Sequence, residues 1–116
     1  MNHKELVRKL SKPGNDILQS LSPEKCSLLH GALGIAGEAG EIVDAIKKHV
    51  MYQKPLDIEN VKEELGDILF YMMMVMEECN LSLEEITQHN IDKLSIRYKD
   101  LSYSNEAAVT REDKVE

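Results

Sequence analysis

Between residues 28 and 50, apolar residues recur every three or four positions, at Leu28, Ala32, Ile35, Ala39, Ile42, Val43, Ile46 and Val50. That spacing is one face of an amphipathic helix. Ser22-Pro23-Glu24 gives the helix its start: the serine hydroxyl accepts from an orphan amide, proline suits the first helical position, and the glutamate meets the positive dipole end. Lys47, Lys48 and His49 suit the negative end, so the helix is predicted to stop near His49 or Val50, before the loop marked by Pro55. A second helix is predicted behind the cap Asp57, with Val61, Leu65, Ile68, Met72, Val75 and Cys79 in its stripe. Its later half, Ile68 to Met76, is apolar on every side and must be covered on more than one face. A short chain has little material for that, so a second copy of the protein is expected to bury part of it.

Asn80 is a helix stop, and Ser82-Leu83-Glu84-Glu85 reads as a capping box opening a third helix through Ile86, Ile91, Leu94 and Tyr98. Ahead of the first long helix, Leu6, Val7 and Leu10, then Ile17, Leu18 and Leu21, mark short helices broken at Pro13-Gly14. The tail after Asp100 is polar and reads as a strap or a disordered end. The expected architecture is all-α, a small helical bundle completed by homo-oligomerisation. It is laid out as one domain over residues 1–116: short helices over 1–21, a helical core over 22–100 and a polar tail over 101–116.

Composition narrows the class. With 116 residues the chain fits a single domain, and 30% charged residues with 4% aromatics and no Trp favour helices over strands. A net charge of −7 opposes the basic footprint that polymeric nucleic acid requires. Phosphate-bearing small molecules remain admissible if divalent cations stand between them and the carboxylates. Cys26 and Cys79 have no CxxC spacing and read as core thiols. No secretory signal is recognisable, and the longest apolar run is about half of a membrane-spanning length, so the chain is expected to be cytoplasmic, with no membrane partner.

The candidate chemistry lies beside the apolar stripes. At about 100° per residue, Glu38 and Glu41 fall together on one flank of the first long helix, at i and i+3. Like charges so placed repel. Gly31 and Gly34 share this flank, and Gly37 and Gly40 continue the three-residue interval, each at a cost of ~1 kcal/mol of helix propensity against Ala. Either close helix approach or room for a ligand must offset that. On the second helix Glu64 and Asp67 repeat the i, i+3 pair, and Tyr71 follows one turn later. If the two helices pack antiparallel, four carboxylates converge, a hard oxygen set suited to Mg²⁺ or Mn²⁺.

The run from Leu29 to Glu41, LHGALGIAGEAGE, followed by Glu63 to Tyr71, EELGDILFY, closely resembles the MazG-like all-α nucleoside triphosphate pyrophosphohydrolases. Their signature is ExxE, a spacer of variable length and ExxD; here twenty-two residues separate Glu41 from Glu64. The resemblance covers roughly Leu28 to Tyr98. It implies a house-cleaning hydrolase that splits a nucleoside triphosphate substrate between the α and β phosphates. It further implies Glu38, Glu41, Glu64 and Asp67 as Mg²⁺ ligands, with Mn²⁺ as a substitute, and Glu41 as the residue that orients or deprotonates the attacking water, with Glu38 as a second catalytic carboxylate. Asn90, Lys93 and Arg97 resemble the family's NxxKLxxR stretch and share a helix face suited to phosphate oxygens or sugar hydroxyls. Tyr71, His30 and, in the loop, Lys54 complete the substrate-contact candidates. An aromatic that clamps the base in some relatives is a Trp, which this chain lacks. A dimer or a dimer of dimers is expected. The rival readings are a catalytically idle helical dimer acting as a regulatory or antitoxin-like partner, and a related enzyme acting on a diphosphate or a histidine-pathway intermediate.

Overall fold

In a computed structural model that describes residues 1–111, the chain is all-α. The described residues form six helices: α1 His3–Leu10, α2 Gly14–Ser20, α3 Pro23–Met51, α4 Ile58–Cys79, α5 Leu83–Arg97 and α6 Asn105–Thr110. Their ends follow local chemistry. The Ser22 hydroxyl accepts from the Lys25 amide at 3.2 Å, and Asp57 Oδ1 accepts from the Asn60 amide at 3.0 Å. At Ser82 both halves of the capping box are made, 3.1 Å from the Glu85 amide and 3.2 Å from the Ser82 amide to Glu85 Oε1. Asn80 stops α4 by turning left-handed at φ 55°. Its amide donates to the Glu77 carbonyl and that of Leu81 to the Met76 carbonyl, which is a Schellman closure. The polar tail is not a bare strap: Ser104 caps α6, which packs against α5.

The chain divides into two compact units, Met1–Val75 and Met76–Glu116. In the first, the neighbours of successive α3 residues run backwards along α4. A methyl group on Gly31 would meet Val75 Cγ2 at 2.7 Å and the Tyr71 carbonyl at 3.3 Å, and one on Gly34 would overlap the Tyr71 ring. Two turns of α3 thus lie against α4 in antiparallel order, at a separation only glycine permits. Gly37, Gly40 and Gly66 face open space, so close approach within the chain accounts for Gly31 and Gly34 alone.

This contact corrects the sequence reading of which faces are covered. The half-buried residues of α3 include Gly34, Ile35, Glu38, Ile42 and Ala45, and those of α4 include Glu64, Asp67, Ile68, Tyr71 and Val75. On both helices the covered face is turned by well over half a right angle, roughly 60–80°, from the stripe centre toward the carboxylates. Leu65 is consequently 48% exposed, while Leu33 and Val43 on the far side of α3 are 63% and 64% exposed. Cys26 and Cys79 are exposed rather than core thiols. Met76 is the sole buried hydrophobic side chain among the described residues.

In the second unit, Ile91 and Leu94 of α5 and its C-cap Tyr98 line an open groove of about 380 Å³ with Leu101 and Tyr103. The rings of Tyr98 and Tyr103 lie 5.9 Å apart, and Asp100 is held below the usual carboxylate range by its hydrogen bonds from Ser102.

Candidate active site

The glycine contact sets the register that brings the acidic pairs together. One turn beyond Gly34, Glu38 meets Glu64 and Asp67 of α4, and one carboxylate oxygen from each lies within 4.8 Å of the other two. All three residues are half-buried, and Glu64 Oε2 is buried without a hydrogen-bond partner. An orphaned carboxylate oxygen among like charges is costly. The site responds by holding a proton: the Glu64 carboxyl is pushed up to about 7, first by its hydrogen bond with Glu38, then by burial, then by the charges of Glu38, Glu41 and Asp67. A proton relieves only one charge of the group. A hard divalent cation would relieve more and would accept the orphaned oxygen, so the donor set fits such an ion.

Glu41 is exposed and stands outside this group of three, although its charge is felt at Glu64. Tyr71 lies one turn beyond Asp67, against Gly34, with the His30 ring centroid 5.8 Å from its own. Phe70, which the sequence reading treated only as part of an apolar run, packs perpendicular to Tyr71 at 5.2 Å and is 62% exposed. Lys54 sits in the α3–α4 loop, ~20 Å along the α3 axis from Glu38, its amide donating to the Lys48 carbonyl and its carbonyl 2.7 Å from His49 Nδ1. Asn90, Lys93 and Arg97 belong to the second unit. There they share one face of α5, with Asn90 exposed on the rim of the groove and Lys93 and Arg97 half-buried.

The sequence profile of the MazG nucleotide pyrophosphohydrolase domain matches residues 27–102, a span holding both acidic pairs and the Asn90–Arg97 stretch. The chain belongs to this family. MazG-domain proteins are hydrolases acting on nucleoside triphosphates and generally use a divalent metal. The chain is also similar to the Gene 37 protein of Mycobacterium phage L5, 33% identical over 76 residues, which is 60% of this chain and 65% of that protein. It therefore spans somewhat under two thirds of that relative's length. No solved structure matches it. Among the described residues, no helix is long and apolar enough to cross a membrane.

Proposed function

We propose that the protein is a Mg²⁺-dependent pyrophosphohydrolase that cleaves ribo- or deoxyribonucleoside triphosphates between the α and β phosphates, releasing the monophosphate and pyrophosphate and so clearing nucleotide pools. The observation that carries this reading is the convergence of Glu38, Glu64 and Asp67, with one buried Glu64 oxygen left without a hydrogen-bond partner. These three residues would hold the metal, with Mn²⁺ able to substitute, and Glu41 would complete the set from the same flank of α3. When bound, Mg²⁺ supplies charge neutralisation of the polyphosphate and polarisation of the attacked phosphorus.

The chain's own residues do the positioning. Glu41, exposed and free to turn toward the substrate, orients the attacking water and takes its proton; Glu38 holds the Glu64 carboxyl in place and is the second catalytic carboxylate. Tyr71 and His30 form a wall beside the acids. Asn90, Lys93 and Arg97 on α5, and Lys54 in the loop, are proposed contacts for phosphate or sugar oxygens. A second copy, as a dimer or a dimer of dimers, would cover Leu33, Val43, Leu65 and Leu69, which no folded chain gains by leaving in water. The cytoplasm is the proposed compartment, and polymeric nucleic acid and membranes are not proposed partners.

A panel of nucleoside triphosphates, incubated with and without Mg²⁺, tests the reading. Metal-dependent release of pyrophosphate is expected. Release of orthophosphate, or no turnover with Mg²⁺ or Mn²⁺, would overturn it, the second result in favour of an idle helical partner.

A further inference from the structure

The helix α1 is capped at both ends and covered on no side. The Asn2 side chain accepts from the Glu5 amide at 2.9 Å, and the Ser11 hydroxyl donates to the Val7 carbonyl at 2.6 Å. Eight residues are still too few to hold a helix in water without packing, yet all of them are exposed, Leu10 at 76%. Leu6, Leu10 and Val7 fall within ~100° of arc and make one apolar stripe. Lys4 and Arg8, at i and i+4, run along the Val7 edge of that stripe, and Lys9 runs along the other edge. None of these three cations forms an ion pair among the described residues. Over residues 1–21 only Glu5 and Asp16 oppose Lys4, Arg8, Lys9 and Lys12, so a chain of net charge −7 carries a positive arm.

The complementary face lies on α4, within the same compact unit. Ile58, Leu65, Leu69 and Met73 fall within ~80° of arc, away from the face that meets α3, and all four are exposed. Glu59 and Glu63 run along one edge of this stripe, again at i and i+4. Glu59 holds Lys62 at 3.0 Å, whereas Glu63 is exposed and holds no cation among the described residues. One chain thus carries two open apolar stripes, one edged by cations and the other by anions at the same ~6 Å rise. Within a single copy they leave each other uncovered. An anionic lipid surface is the other partner that a basic amphipathic helix suits, but three aliphatic side chains give lipid little to bury, and the acidic remainder of the chain would be repelled.

We propose that α1 of one copy docks on the α4 stripe of a second copy, reciprocally about a two-fold axis, with Lys4 and Arg8 facing Glu59 and Glu63. The proposal rests on the second copy of the preceding reading and names the element that does the covering. Apolar burial supplies the affinity, and the edge charges choose the partner and the alignment.

Sedimentation equilibrium of the full chain should show a dimer or a larger assembly. Lys4→Glu with Arg8→Glu should raise the dissociation constant about tenfold or more. Glu59→Lys with Glu63→Lys should do the same, and all four substitutions together should recover most of the loss; far-UV circular dichroism checks that each variant folds. In the unsubstituted protein, mixing ¹⁴N and ¹⁵N copies before zero-length carbodiimide crosslinking should yield peptides joining Lys4 or Lys9 of one isotope to Glu59 or Glu63 of the other. Crosslinks confined to one isotope, a mass indifferent to the charge reversals, or no recovery in the fourfold variant would overturn the proposal. So would binding to phosphatidylserine vesicles that Lys4→Glu with Arg8→Glu abolishes while assembly is unchanged. A protein that sediments as a monomer would overturn the proposal together with the second copy, whereas failure of the hydrolytic reading shows separately, as absence of pyrophosphate release.

Discussion

Binding of a divalent ion to the acidic seam should expel a proton, and the amount is fixed by the Glu38–Glu64 pair. A carboxyl pushed up to about 7 carries a proton in about nine of ten molecules at pH 6, about half at pH 7 and about one in ten at pH 8. Titrating Mg²⁺ or Mn²⁺ into the protein by calorimetry, in two buffers of different ionisation enthalpy, should therefore return about 0.9, 0.5 and 0.1 protons released per site at those three pH values. Apparent affinity should climb about tenfold per pH unit below 7 and level off above it. Stability of the metal-free protein follows with a definite sign. The folded group is raised above its ordinary value of 4.5, so folding takes up a proton, and the stability it contributes below about pH 4.5 is lost as pH rises through about 7. Metal should restore the melting temperature most at alkaline pH. Glu64→Gln should abolish both the proton release and this pH dependence. A release near zero at pH 6, or one unchanged in Glu64→Gln, would refute the reasoning.

Glu41→Gln should lower kcat at least ~100-fold and leave the helical far-UV spectrum intact, since the side chain is exposed; wholesale unfolding would contradict its assigned role. Gly34→Ala drives a methyl group into the Tyr71 ring and should cost ~1–3 kcal/mol in urea denaturation, whereas Gly66→Ala, facing open space, should gain up to ~1 kcal/mol. Cys26 and Cys79 should both react promptly with a thiol reagent in the native protein, two equivalents per chain; silence until unfolding would restore them to a core. Leu69→Glu, on the uncovered face of α4, should shift the sedimentation equilibrium toward monomer.

What the sequence made legible was local. The caps at Ser22, Asp57 and Ser82 and the stop at Asn80 act within one turn, and each appears in the structure where the chain announces it. The i, i+3 carboxylate pairs are likewise a property of a single helix. The rotation of the two long helices was not legible, because apolar residues cover more than one side of each and several packings bury a similar area. The deciding feature was the absence of side chains: Gly31 and Gly34 admit α4 more closely than any aliphatic flank does, so the covered face swings toward the acids. Leu65 was misplaced for that reason.

The two glycine hollows work as a keyway. They fix how far one rod slides along the other. A longer connector would cost little, since each doubling of a flexible loop adds only ~0.6 kcal/mol of closure entropy. An insertion of one residue between Gly34 and Glu38 would turn the carboxylate out of the seam by ~100°.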